Sequence, residues 1–570
     1  MMTDVTFPPG LVLALGAFLL PLMPKGWMRT SYMLALPLLA MAMVWGVADG
    51  PGAAYPFLEY EIVPVQADAL SRLFGTIFTL MAFAGALYAL NQDKIHELTA
   101  AYAYAGSAVG VALAGDLITV FVFWEIMAVA STVVIWSAGT DSAYKASMRY
   151  VMVHLLGGVV LMVGIVAHVM EVGSIAFTAM EANSFATAMI LIGFIINAGA
   201  PPLSAWLPDA YPEASWSGTV FLSAFTTKTA VYVLIRGFPG EEILVYVGLY
   251  MIFYGIIYAL LENDMRRILA YSIVNQVGFM ITGIGIGTEM ALNGAAAHAF
   301  AHIIYKALLL MSAGSVLYMT RDEEFPDGRR KCTDLGGLFQ SMPLTMVCGT
   351  IGALAISSFP WTSGFISKSM ISQGAANEHM MFAWLLLTAA SAGVFLHAGI
   401  KFPWFVFFQK DRGIRPPDPP WNMRAAMVFF AFLCIFLGVM PGPLYAILPF
   451  PVNYEPYTGA HVVNMLELLL FSGFAFFVLL PLMKRTLTLT LDFDWFYRTF
   501  GMALFRVAKA FAVRITDAYW KAIKTVSAAG SMFGEGLTAE YAVLGRTWSS
   551  GTMGLVVMVL LAVFLVVYLL

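Results

Sequence analysis

Sixteen apolar runs recur along the sequence, most of them at or above the roughly twenty residues that a helix needs to cross a bilayer and the first one short of it. They fall near 10–23, 31–48, 70–91, 97–113, 117–137, 147–170, 184–207, 218–236, 242–262, 268–287, 292–318, 342–372, 381–408, 423–447, 462–482 and 552–569. Lipid offers no partner to backbone N–H and C=O groups, so runs of this kind must close their hydrogen bonds within themselves, as helices do. The expected fold is all-α and polytopic, with about sixteen transmembrane helices. A content of 60% hydrophobic and 11% charged residues excludes an ordinary soluble domain, and a net charge of −4 leaves no footprint for nucleic acid. Cys332, Cys348 and Cys434 have neither metal-ligand spacing nor an obvious pairing, and read as packing residues. The N-terminal MMTDVTFPPG lacks the basic start of a cleaved signal, so 10–23 is expected to stay as the first span.

Charge alternates between the loops. Lys25 and Arg29, Lys94, Lys145 and Arg149, Arg266 and Arg267, Arg321 to Lys331, Lys410 to Arg415, and Lys484 with Arg485 follow odd-numbered runs. Glu59, Glu61, Glu171, Glu181, Glu289, Glu378 and Glu455 mark the even-numbered ones. The positive-inside rule then puts the odd loops in the cytoplasm and the N-terminus outside, in a bacterial-type inner membrane. Between 493 and 530, Arg506, Lys509, Arg514, Asp517, Lys521 and Lys524 recur at helical spacing among Phe505, Phe511 and Trp520. This is the pattern of an amphipathic helix lying along the cytoplasmic interface, joined by a Gly/Ser-rich link (529–536) to the last span.

Several features interrupt the apolar runs. In 193–236 a helix reaches Asn197, meets Gly199, Pro201 and Pro202, resumes through Trp206 and turns at LPDAYPEAS. A second apolar helix follows, with Lys228 in its middle. Freed backbone groups survive at membrane depth only against protein or a watered cavity, and a lysine there costs roughly 3 kcal/mol. Together these features read as machinery for moving ions. Glu125 sits deep in DLITVFVFWEIMAVAS, where a charged carboxylate needs a nearby cation. His298, His302 and Lys306 are spaced i, i+4, i+8 and share one helix face, which suits a proton relay. Two such histidines could also ligate a metal, but no third ligand lies in register.

Lys368 follows a second interruption, SSFPWTSGFISK (357–368). Both interruptions set proline and serine before an aromatic residue, which suggests an internal repeat of opposite orientation with paired ion sites. Lys401, with His397 one turn before it, is expected to snorkel to the interface. His154 follows Arg149 and is expected near the surface. GIGIG (283–287) has no strand before it and reads as a glycine-rich helix end.

In order, DLITVFVFWE (116–125), PLSAWLPDAY (202–211), Lys228, the H-x3-H-x3-K of 298–306 and PWTSGFISK (360–368) resemble the antiporter-like subunits shared by respiratory complex I and the multisubunit (Mrp-type) cation/proton antiporters. The resemblance covers roughly 70–430. It implies a core of about fourteen helices with two inverted five-helix repeats and two discontinuous helices. It also implies a proton path through Glu125 on helix five, Lys228 on helix eight and Lys368 on helix twelve, with His298, His302 and Lys306 between the last two. Lysine at 368 is similar to the D-type member of the Mrp antiporters. The family's helix-seven lysine is expected where this chain has Asn197, so Glu125 would need another cation such as His154; Lys401 is a further candidate.

The domains this implies are 1–96, a first repeat over 97–240, a second over 241–410, extra helices over 411–490, and an amphipathic lateral helix with a last span over 491–570. The implied protein is a proton-translocating subunit of a Na+ or K+/proton antiporter. It would carry no cofactor or metal, work with other subunits in the bilayer and be no enzyme itself. Its rivals are a redox-driven subunit of complex I or a membrane hydrogenase, and a scaffold whose buried charges are vestigial.

Overall fold

The computed structural model describes residues 7–481, 491–538 and 547–569; Lys484 and Arg485, which belong to the charge alternation, lie outside the described residues. The first unit runs to Asp494. It opens with α1 (Pro9–Ala17), α2 (Trp27–Gly46), α3 (Ala69–Tyr88), α4 (Ile95–Leu113), α5 (Leu117–Trp136), α6 (Asp141–Val172) and α7 (Phe185–Ala198). Then come α8 (Trp206–Ala210), α9 (Gly218–Leu222), α10 (Thr226–Gly237), α11 (Ile243–Leu261), α12 (Met265–Ile286) and α13 (Glu289–Met319). It closes with α14 (Pro343–Ile356), α15 (Ser363–Asn377), α16 (Met381–Val394), α17 (Trp421–Val439), α18 (Gly442–Tyr445) and α19 (Gly459–Leu479). Side chains tie off the starts of these helices: Asp116 accepts from the Thr119 amide at 2.7 Å, and Ser184 and Thr187 cap each other's backbone at the start of α7.

Among the described residues, twelve helices are long and apolar enough to cross a membrane, not sixteen. Four runs fall short for physical reasons. The run at 10–23 yields only the nine residues of α1 and a short turn, and 184–207 yields the 14 of α7 before Gly199 turns the chain at φ 80°. The run at 342–372 splits into α14 and α15, and α4 is diluted by His96, Glu97 and its tyrosines. The fold is not wholly helical either. In the polar loop after α2, Gly50–Pro51 pairs antiparallel with Gln66–Ala67, and Tyr55–Phe57 with Tyr60–Ile62.

The run at 218–236 is not one helix. It stops after Leu222 and restarts at Thr226, which moves Lys228 from mid-helix to the first turn of α10. The apolar stretches of this composite element (Gly218–Gly237), α12 and α13 lie inside the protein, whereas those of α6 and α19 turn mostly outward. Lipid is as apolar as leucine, so burial here concentrates polar side chains rather than hydrophobic ones. After α16 the chain continues as two π-helical turns, Phe395–Lys401 and Trp404–Phe408. The second unit (Trp495–Leu570) holds α20 (Met502–Thr538) and α21 (Ser550–Leu569). α20 runs straight through the stretch expected to be a Gly/Ser-rich link.

Candidate functional site: a buried chain of lysines, histidines and hydroxyls

Lys228 is fully buried, and its Nζ donates to the Ser223 carbonyl at 2.6 Å and to Thr227 Oγ1 at 3.1 Å. That carbonyl is free because the helix stops there. On the other side of the gap, the Thr226 amide donates to Tyr104 Oη of α4 at 2.9 Å, and Tyr104 Oη and Thr226 Oγ1 lie 2.6 Å apart. Thr226 Oγ1 also approaches Tyr150 of α6 at 3.4 Å, and Tyr150 donates to Ser131 of α5 at 2.9 Å. A line of hydroxyls therefore joins α4, α5 and α6 at the break.

His154 is buried, not near the surface as expected. Its Nδ1 lies 2.7 Å from Asn197 Oδ1, and its ring lies 4.0 Å from that of Tyr150 and 4.6 Å from that of Trp206. Asn197 is the penultimate residue of α7. Glu125 is half-buried, and its buried Oε1 has no hydrogen-bond partner among the described residues. The carboxylate rests over Gly158, one turn beyond His154, where any Cβ would collide with it. The structure therefore brings His154 to Asn197 and leaves Glu125 beside the same helix without a hydrogen bond to either.

In the second half, Lys368 Nζ donates to the Ile356 carbonyl, the last of α14, at 2.6 Å and lies 4.8 Å from the centre of the Phe279 ring. The neighbouring Ser367 Oγ lies 2.9 Å from His298 Nδ1, and His298 Nε2 lies 3.2 Å from Gln276 Oε1. Tyr305 donates to Gln276 Oε1 at 3.1 Å, and Gln276 donates to Asn275. Lys306 donates to Ser272 Oγ at 2.9 Å, so it faces α12 and not the histidines. His302 is fully buried, and neither ring nitrogen has a partner among the described residues.

Lys401 does not snorkel. It is buried, and its ammonium donates to the carbonyls of Ala259, Leu260 and Glu262 at 3.1, 2.6 and 2.6 Å, capping the end of α11. Sequence reasoning missed Tyr104, Tyr150, Thr226, Gln276, Tyr305 and Ser367. The run TTKT (226–229) inside an apolar stretch was the one local signal. Among the described residues no group of three or more His, Cys, Asp or Glu is placed to hold a metal ion.

The chain is a polytopic membrane protein similar to the antiporter-like subunits of Mrp, complex I and hydrogenase-type assemblies. Residues 114–393 match the family described as NADH:quinone oxidoreductase/Mrp antiporter, transmembrane. The chain is similar to the A/B component of a probable K+/H+ antiporter of Rhizobium meliloti, 28% identical over 408 residues, 66% of this chain and 40% of that relative. It thus spans well under half of that protein's length. It is also similar to the D component of a Na+/H+ antiporter of Alkalihalophilus pseudofirmus, 28% identical over 412 residues, 67% of this chain and 82% of the relative. One protein of the Mrp complex from a Dietzia species shares the fold at TM-score 0.68 and 20% identity, with 82% of this chain and 97% of that one covered.

Proposed function

We propose that the protein translocates protons as a D-like component of a multisubunit Na+ or K+/proton antiporter, in a bacterial-type inner membrane with its N-terminus outside. One observation carries this reading: Lys228 and Lys368 each sit at a helix interruption and hold a main-chain carbonyl which that interruption frees. A lysine so placed can gain and lose a proton while its partner stays fixed. The groups that carry it are Glu125, Lys228, His298, His302, Lys306 and Lys368, and protonation of one changes the affinity of its neighbours. The matched Pro/Ser segments 202–206 and 360–365 support two inverted repeats, 97–240 and 241–410.

Asn197 and His154 form one polar couple beside Glu125, so a proton on His154 would supply the cation that Glu125 otherwise lacks. The family description also names NADH:quinone oxidoreductase, which makes a redox-driven assembly the second reading. The first test is proton movement in vesicles holding the assembled complex. Lys228→Ala is expected to abolish it with little loss of assembled protein, and Lys228→Arg, which barely releases its proton, to fail as well. Full transport by Lys228→Ala would sink the reading.

A further inference from the structure

A cavity of about 400 Å³ lies on the face that carries the basic loops, between segments 91–94, 138–142, 212–216 and 326–330. Gln92 and Ser215 form part of its wall. Directly behind them stands Glu97, only 1% exposed, in the first turn of α4. Its Oε1 accepts from Ser215 Oγ at 2.6 Å, Ser217 Oγ at 2.6 Å and Gln92 Nε2 at 3.1 Å. Its Oε2 is buried and has no partner among the described residues.

The charged groups around it are committed elsewhere or open to water. Lys94 gives its ammonium to the carbonyls of Ser137 and Ala138 at 2.8 and 2.7 Å, and Arg266 of α12 donates to the carbonyls of Ala214 and Ser215, both at 2.8 Å. Glu213 pairs with Arg330 at 2.9 Å, and His96 is exposed. An acid that merely stapled this turn would use both oxygens or take a cation. A buried carboxylate with one oxygen left bare is costly, and a proton on the carboxyl removes its charge and most of that cost.

The position is as telling as the chemistry. Ser217 immediately precedes α9, the half-helix that ends at the Lys228 break. Seven residues along α4, on the same face and about 10 Å further in, Tyr104 makes its bonds to Thr226 at that break.

We propose that the cavity and Glu97 form the mouth through which protons reach the Lys228 break, with Glu97 as the carboxyl that loads them. A hydronium in the cavity gives its proton to Ser215 Oγ as the Ser215 hydroxyl proton passes to Glu97, leaving a water behind. The neutral acid then releases that proton inward, towards the break where Tyr104 Oη and Thr226 meet, and no electrons move. This assignment rests on the proposed proton translocation and adds a loading residue to it.

Proton movement in vesicles with the assembled complex separates the two. Glu97→Gln keeps the shape and the serine bonds but cannot titrate, and is expected to slow transport at least tenfold at every pH from 6 to 9. Glu97→Asp, still titratable, is expected to transport with a displaced pH profile. Transport by Glu97→Gln within twofold of the parent, in a preparation where Lys228→Ala is inactive, overturns the mouth and leaves the function standing. Full transport by Lys228→Ala removes both. Should Glu97→Gln fail to assemble, Ser142→Cys in the cavity wall decides the matter, because the native cysteines are buried. A bulky thiol reagent there must cut flux at least tenfold from its value before labelling, and undiminished flux through the plugged cavity overturns the proposal.

Discussion

At the scale of single residues, the buried lysines divide by what holds them. Lys401 has three carbonyls at a helix end and behaves as a fixed cap, whereas Lys228 and Lys368 each hold one carbonyl at a break. Lys401→Met is expected to cost about 2–3 kcal/mol, read as a lower unfolding temperature, with transport per assembled complex kept within twofold. Lys368→Met should show the opposite pattern, near-wild-type stability and no transport. Gly158→Ala would push the flexible end of Glu125 aside, and slowed proton movement in an assembled complex is the expected result.

Outside the spans, burial alone would raise the Glu213 carboxyl, but the charge and hydrogen bond of Arg330 outweigh it and hold the group below the ordinary glutamate value. A depressed carboxyl stabilises the fold above its unfolded value and loses that contribution as pH falls through the folded one. Thermal stability should therefore decline with acidification below the ordinary glutamate range. Arg330→Gln should be less stable at pH 7 and flatter on the acid side, as pH-dependent melting would record.

At the scale of elements, the two breaks near the lysines have different origins, and this decided how legible each was. The one at 357–362 is written in the chain: Pro360 cannot continue a helix, and Ser358 and Trp361 sit at φ 60° and 66°, a conformation that costs of order 1–3 kcal/mol for such residues. The one at 223–225, Ser-Ala-Phe, holds neither proline nor glycine. It exists because Tyr104 takes the Thr226 amide and Lys228 takes the Ser223 carbonyl, and no local pattern announces a partner 122 residues away. Apolar run length located most spans because lipid enforces it. It miscounted where a run hid a turn, as at 342–372, and it could not tell a capping lysine such as Lys401 from a snorkelling one. Glu125, Lys228, His298 and Lys368 were visible as charges in the wrong solvent, while Tyr104 and Gln276 looked like ordinary helix residues. Gly364, the second residue of α15, lies against the Ala355 carbonyl, with no room for a Cβ. Gly364→Val should therefore prevent the second break from closing, seen as loss of assembled protein rather than loss of flux alone.

At the scale of the whole molecule, the first unit ends in a clasp. Asp492 is buried, and its Oδ2 accepts from Tyr254 of α11 at 2.6 Å and from Tyr271 of α12 at 2.7 Å, while Tyr258 donates to the Leu491 carbonyl at 3.1 Å. A chain cut after Asp494 keeps these bonds and should remain foldable while co-purifying less of its neighbours, if α20 serves as the attachment. Cutting before Leu491 strips two buried hydroxyls of their acceptor and should lower stability as well. Comparing the two truncations by pull-down yield and melting temperature separates attachment from folding, and undiminished co-purification by the longer one would show that α20 is no clamp. The clasp also has a mechanical meaning. Tyr271 lies one turn from Asn275 on α12, whose next residue, Gln276, touches His298. Tension along the backbone beyond Asp494 is borne first by a carboxylate and two phenols, and through them by the helix whose amides line the buried chain.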